Sequence, residues 1–380
     1  MTIHWCGTGL SAIPGLKRLI NAGHSVSVWN RSLDKAKAAV GDLSEDIRVF
    51  DFDELSQSVI EGDVVVSMLP GEWHVPLADM CINKSAHFVS SSYTSPAMQS
   101  VHAKALLRGV CCVNEIGLDP GIDHLMAHHL VSAYRGSDAF NAENDLSFLS
   151  YCGGVPKETN AFRYKFSWSP LGVLKALKSP SRSIRHFTEL KVTRPWEATS
   201  SYDAPLTPPE TFEVYPNRDS FPYLDEYGFE PNWRVKEFVR GTLRLNGWAE
   251  AWTEVFSFIE RLEGDYADEQ LQELSDRLWQ DHAYNKDEPD RVVLCVDLKA
   301  EHDGQTVWHK TFTMDAWGDE RGTAMARLVS IPVSLAVEAI LNHEIATGVS
   351  AAPSDAKLVL RFLNEVDRQA QFLQVVDHAS

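Results

Sequence analysis

The chain has 380 residues, 44% of them hydrophobic, and its 35 Lys and Arg against 53 Asp and Glu leave a formal net charge of −18. That length exceeds one small domain and the apolar content suffices for packed cores, so two domains are expected and a disordered chain is excluded. The acidic balance argues against nucleic-acid binding, which runs on Lys and Arg contacts to phosphate, and no run of about 20 apolar residues suggests a membrane role.

In chain order, Ile3-His4-Trp5-Cys6 reads as a strand that runs into Gly7-Thr8-Gly9-Leu10-Ser11-Ala12. A helical stretch through Leu16, Leu19 and Ile20 follows, then a second strand over residues 25–29. This β-turn-α-β with GxGxxA is the arrangement that binds a dinucleotide: Gly7 permits the turn, Gly9 lets backbone approach a pyrophosphate, and Ala12 allows close helix packing. The amides that open the helix, from Leu10 onward, then face the phosphates. No acid follows the second strand to hold a ribose hydroxyl. Arg31 and Ser32 stand there instead, which favours the 2′-phosphate of NADP; if Arg31 is simply solvated, NAD is the cofactor.

The alternation continues with strands over residues 47–52, 63–70, 87–90 and 109–115 and a helix over 73–83, the order of a doubly wound parallel sheet. Such sheets bind ligands at the carboxyl ends of their strands. That singles out Leu69 and Pro70, the Ser91-Ser92-Tyr93 segment, and residues 114–120 with Leu118, Asp119 and Pro120. Residues 260–291, rich in Asp and Glu, read as a solvated helix with Trp279 on its apolar side. Residues 324–341 carry helical apolar spacing, and 358–376 repeat it. Cys6, Cys81, Cys111, Cys112, Cys152 and Cys295 fit neither a disulfide framework nor a paired CxxC zinc site, so reduced thiols are expected. The chain opens without a signal segment, and a cytoplasmic location is the expectation.

Ser91-Ser92-Tyr93-Thr94-Ser95-Pro96-Ala97 and the run from Asn114-Glu115-Ile116-Gly117 through Leu118-Asp119-Pro120-Gly121 to Ile122-Asp123-His124 resemble the glutamate-forming saccharopine dehydrogenases. So do Tyr151-Cys152-Gly153-Gly154, Arg163-Tyr164-Lys165-Phe166, Tyr215-Pro216-Asn217-Arg218-Asp219-Ser220 and Arg240-Gly241-Thr242-Leu243-Arg244. These blocks keep the family's order over most of residues 1–250, whereas residues 265–320 resemble it loosely and the acidic, proline-rich stretch 196–210 has no match. The resemblance implies a Rossmann domain over residues 1–120 and an α/β substrate domain over 121–325 with a helical segment near 250–290. It further implies C-terminal helices over 326–380 that return to the Rossmann domain, and a homodimer.

The implied reaction interconverts saccharopine with L-glutamate and 2-aminoadipate 6-semialdehyde, by hydride transfer between NADP(H) and an imine. The nearest alternatives are a related imine reductase, such as carboxynorspermidine dehydrogenase or lysine dehydrogenase, and a non-catalytic dinucleotide-binding protein. Three substrate carboxylates call for arginines, whose fork pairs with carboxylate. Arg218 is the first candidate and Arg244 the second, with Thr242, Ser92 and Tyr93 donating hydroxyls and Arg240 and Lys165 behind them. Asp119, Cys152 and Tyr93 are the groups available for proton transfer. Asp119 could equally cap the helix after Gly121, Arg218 could pair with Asp219, and Cys152 could be an inert packing group. His124 and His128 lie one helical turn apart, but no third ligand stands out and hydride transfer from nicotinamide needs no metal, so no metal site is expected.

Overall fold

A computed structural model describes every residue except 263, 265, 379 and 380. The chain forms two compact units, residues 1–125 with 320–369 and residues 126–319 with 370–380.

The first unit is a parallel sheet of β1 (Ile3–Cys6), β2 (Val26–Asn30), β3 (Ile47–Val49), β4 (Val64–Ser67), β5 (His87–Ser90) and β6 (Cys111–Val113). A late strand, numbered β15 by its place in the chain (Gly348–Ser350), completes the order β15-β6-β5-β4-β1-β2-β3. The order reverses at β1, as in a doubly wound sheet. Every residue of β1 and β4 is buried, so their apolar runs do not alternate; both faces are covered, as parallel sheets require.

One cover is the helix Ala324–Leu341. It is long and apolar enough by composition to cross a membrane, which the sequence reading had not expected of any segment, yet 83% of it is buried. It packs on the helix Ile13–Asn21 and on β4 and β5. A helix that is apolar all round is a core helix when it is enclosed in this way. Gly15 sets the approach: its amide donates to Ser330 Oγ at 2.8 Å, and a Cβ there would lie 2.0 Å from the Ser330 carbonyl oxygen.

The second unit is a mixed sheet. Its strands are β7 (Asp145–Pro156), β8 (Ser181–Arg185), β9 (Thr188–Val192), β10 (Ser200–Ala204), β11 (Glu210–Pro216), β12 (Arg234–Leu245), β13 (Asp290–His302), β14 (Gln305–Trp317) and β16 (Phe372–Asp377). The main path runs β10-β11-β12-β7-β13-β14-β16, and β12 also pairs with β8 of the β8–β9 hairpin. Strand alternation gives β12 two different faces. Val239, Leu243 and Leu245 join an apolar cluster with Tyr151, Phe212 and Val293, while Arg240, Thr242 and Arg244 point the other way.

Two expectations are corrected. The last helix is Ala356–Gln369, and it does not continue through residue 376. Residues 372–377 instead form β16 against β14, so the chain end belongs to the second unit rather than to the first. The Gln371 side chain accepts from the Trp317 amide and donates to its carbonyl, ending the helix reading and setting the strand register. Val375 and Val376 suit a strand, and the edge of β14 supplies the hydrogen bonds. The acidic helix spans Ala267–His282 rather than 260–291. Its buried side is Leu271, Leu274 and Leu278, and Trp279 is 37% exposed. The acidic, proline-rich stretch contributes a short turn (Pro195–Ala198) and β10, with Trp196 stacked on Phe256 at 4.6 Å.

Candidate active site

In the first unit the predicted cofactor residues gather at the carboxyl ends of the strands. Gly7 follows β1 with a φ of 105°, and a Cβ there would sit 2.8 Å from the Met68 carbonyl oxygen, so only glycine fits. Gly9 has no protein atom within 4 Å of where its Cβ would be, leaving room for a ligand at the backbone. Leu10 is exposed and Ala12 buried beside the helix Ile13–Asn21, whose second residue is Pro14. Leu69 and Pro70 follow β4, and Leu118 and Pro120 lie in the loop after β6.

Two buried hydroxyls at this end, Thr8 Oγ1 after β1 and Ser67 Oγ closing β4, have no hydrogen-bond partner among the described residues. Buried polar atoms are ordinarily paired. With the open backbone at Gly9, they fit a polar ligand such as a pyrophosphate and its ribose. After β2, Arg31 is exposed, and the Ser32 hydroxyl accepts from the Lys35 amide at 3.3 Å, capping the helix Leu33–Val40. Arg31 and the amides of that helix start are groups that can meet a phosphate, although Asp34 lies in the same first turn.

The loops after β5 and β6 are laced together. The Glu115 amide donates to the Ser92 carbonyl, and Glu115 Oε1 accepts from the Thr94 amide at 2.8 Å. The Tyr93 hydroxyl donates to Asp119 Oδ1 at 3.3 Å, joining two of the proposed proton-transfer groups. Asp123 Oδ1, not Asp119, accepts from the Gly121 amide at the following helix. Ser92 Oγ lies 3.1 Å from His74 Nε2, while Ser90 Oγ lies 3.4 Å from His74 Nδ1 and accepts from the Ser92 amide. Burial pushes His74 down to about 4, so its ring is neutral near pH 7.

The His74 and Glu115 side chains escaped the sequence reading. His124, weighed as a metal ligand and set aside, turns its Nε2 to Glu115 Oε2 at 3.1 Å, whereas His128 faces Glu226 and the Tyr227 ring. One local signal was available for Glu115: an acid two residues after the buried β6.

In the second unit Arg240, Thr242 and Arg244 line one face of β12, and Cys152 of β7 sits opposite Thr242. Arg244 is buried among Tyr164, Tyr215 and Trp248, its guanidinium carbon 4.8 to 5.6 Å from their ring centres. Its Nη1 donates to the Leu243 carbonyl, and its Nε has no partner among the described residues. A buried guanidinium with an unfilled donor is chemically suited to pair with a carboxylate. Arg240 is also buried, over the Tyr223 ring at 3.9 Å. Arg218 is exposed after β11 with a φ of 58°, and its carbonyl accepts from the Arg182 amide. The Asp219 carboxylate is held by Arg182 and the Phe221 amide. Lys165 pairs with Glu288 at 2.6 Å.

Residues 6–113 match the saccharopine dehydrogenase NADP binding domain, and residues 117–371 match the saccharopine dehydrogenase C-terminal domain. The chain belongs to the saccharopine dehydrogenase family. It is thus an oxidoreductase of that family with a dinucleotide-binding N-terminal domain. Among relatives of the saccharopine dehydrogenase family, the NADP(+)-linked, L-glutamate-forming enzyme of Schizosaccharomyces pombe is 28% identical over 434 residues, covering 93% of each chain. The corresponding enzyme of Saccharomyces cerevisiae is 35% identical over 259 residues, which span 64% of this chain and 55% of that one. The match to the Pyricularia oryzae enzyme, 34% identical, likewise spans only 54% of the relative's length. The apo saccharopine dehydrogenase (L-Glu forming) structure from Saccharomyces cerevisiae superposes with a TM-score of 0.80 at 25% identity, over 99% of both chains. A homospermidine synthase from Legionella pneumophila shares the fold alone, with a TM-score of 0.67 at 10% identity.

Proposed function

We propose that the protein is an NADP(H)-dependent saccharopine dehydrogenase of the glutamate-forming type, interconverting saccharopine with L-glutamate and 2-aminoadipate 6-semialdehyde. The observation that carries this reading is Arg244, a buried cation with an unfilled donor on the same face as Thr242 and Arg240. Two guanidinium groups and a hydroxyl along one strand suit a substrate with several carboxylates better than a diamine, which would call for acids. Likeness along the full length of the Schizosaccharomyces pombe enzyme supports the same choice.

The bound nicotinamide supplies the hydride chemistry. The chain's own residues orient the substrate and handle protons. Arg244, Thr242 and Arg218 bind carboxylates, Ser92 donates a hydroxyl, and the Tyr93–Asp119 pair moves a proton at the reacting nitrogen or at water, with Cys152 beside Thr242. Arg31 reads the 2′-phosphate of NADP. The assembly in this reading is a cytoplasmic homodimer. The test is to mix the protein with saccharopine and NADP+ or NAD+ and follow absorbance of the reduced nicotinamide. Turnover with NADP+ preferred is the expected result; silence with both cofactors overturns the reading.

A further inference from the structure

On the face of the second unit's sheet opposite Arg240 and Arg244, three ligand-type side chains meet where β13, β14 and the end of β16 run side by side. Asp297 of β13 stands opposite Thr311 of β14, and Thr311 stands opposite Val376 of β16. One step of alternation along each strand places His309 and His378 on the same face. The His378 amide donates to the His309 carbonyl, and the two rings stack at 4.1 Å with a 23° tilt. His309 Nε2 lies 2.8 Å from Asp297 Oδ2. One ligand atom from each of Asp297, His309 and His378 falls within 4.8 Å of the others.

The shell around these groups is also organised. Thr311 Oγ1 donates to Asp297 Oδ2 at 2.5 Å and lies 2.8 Å from His378 Nε2, so a buried hydroxyl orients the carboxylate. Asp297 is buried, His309 half-buried and His378 exposed, which leaves one side open to water. Lys310 pairs with Asp377 on the other face, and Lys299, which stands opposite His309 on this face, is held by Glu301 at 2.6 Å.

Two imidazoles and one carboxylate are the donor set of a borderline divalent ion such as Zn(II) or Co(II), and a poor one for Mg(II) or Ca(II), which want oxygen. A metal held at about 2 Å by three such donors needs them roughly 3 to 3.5 Å apart, within a small side-chain rotation of the spacing here. We propose that Asp297, His309 and His378 bind one such ion, with water completing its shell, and that the ion fastens the last strand to its sheet.

The experiment uses the full chain without a histidine tag, stripped with chelator and dialysed. Co(II) is titrated and followed by its visible absorption, Zn(II) by calorimetry, and backbone hydrogen exchange is measured with and without Zn(II). The expected result is one equivalent bound, a raised Tm and slower exchange across residues 372–377. His378→Ala, at an exposed position, and His309→Ala should each weaken Co(II) binding at least tenfold while keeping the Tm of the metal-free protein. Absence of stoichiometric binding, or equal binding by both variants and the parent, overturns the proposal, the latter because other histidines would then hold the ion.

Discussion

The Tyr93 hydroxyl donates to Asp119 Oδ1 across 3.3 Å, joining the loops that follow two neighbouring strands, β5 and β6. A positioned acid–base pair of this kind contributes about 10²-fold or more to a proton-transfer step. Tyr93→Phe should therefore lower kcat for saccharopine oxidation by about 10²-fold, with the KM for NADP+ unchanged. Asp119→Asn should do the same and move the pH-rate profile. Steady-state kinetics from pH 6 to 10 check both, and an unchanged kcat in Tyr93→Phe would remove the pair from the reaction.

His74 stands between two serines, and its neutral ring can donate only once. In the tautomer that carries its proton on Nε2, Ser90 Oγ accepts from the Ser92 amide and donates to His74 Nδ1, and His74 Nε2–H donates to Ser92 Oγ. Ser92 is left with its own proton to offer outward. Ser90→Ala should raise the saccharopine KM several-fold, and it should have no further effect in a Ser92→Ala background. Additive effects in that double-mutant cycle would show the chain of serines to be uncoupled.

The same histidine makes a stability prediction. Its folded value, about 4, lies below the ordinary 6.5, so the unfolded chain binds the proton first as pH falls. The stability tied to neutral His74 is fully present above about pH 6.5 and is lost between there and about pH 4, amounting to roughly 3 kcal/mol. Urea midpoints across that range should fall with acid, and His74→Gln should flatten part of the slope.

Arg244 and Arg218 should separate by their burial. Removing Arg244 costs a charge-assisted hydrogen bond and the packing of its aromatic cage, about 2 kcal/mol or more. Arg244→Ala should raise the substrate KM at least thirtyfold and lower Tm, and Arg244→Lys should restore little because the fork is gone. Arg218→Ala should raise KM strongly with Tm unchanged, since its side chain is exposed. Arg31→Ala should weaken NADP+ use and spare NAD+ use. Kinetics with both cofactors, beside thermal melts, read all of these.

Gly15→Ala places a carbon 2.0 Å from the Ser330 carbonyl oxygen, so two packed helices must part. Overpacking of this kind costs about 1 to 3 kcal/mol or more. A Tm drop of several degrees is expected, with Ser330→Ala milder because it removes the hydrogen bonds of Ser330 Oγ to the Gly15 amide and the Ala326 carbonyl but forces no clash.

Much of this protein is written locally. Gly7, Gly9 and Ala12 declare the phosphate turn because a tight turn, a close backbone approach and a helix contact each demand a small residue at a set spacing. The parallel strands are legible as unbroken apolar runs. None of these readings needs a distant partner. The fate of residues 372–377 did need one: their spacing suits a helix, and only the edge of β14 and the Gln371–Trp317 bonds turn them into a strand. His74 meets Ser92 from 18 residues away, Glu115 reaches Thr94 from 21, and Arg244 finds its aromatic cage in Tyr164, Tyr215 and Trp248. Short-range sterics and periodicity are properties of neighbouring residues, whereas the pairing of a buried polar group is settled by whichever strands the finished fold sets beside it.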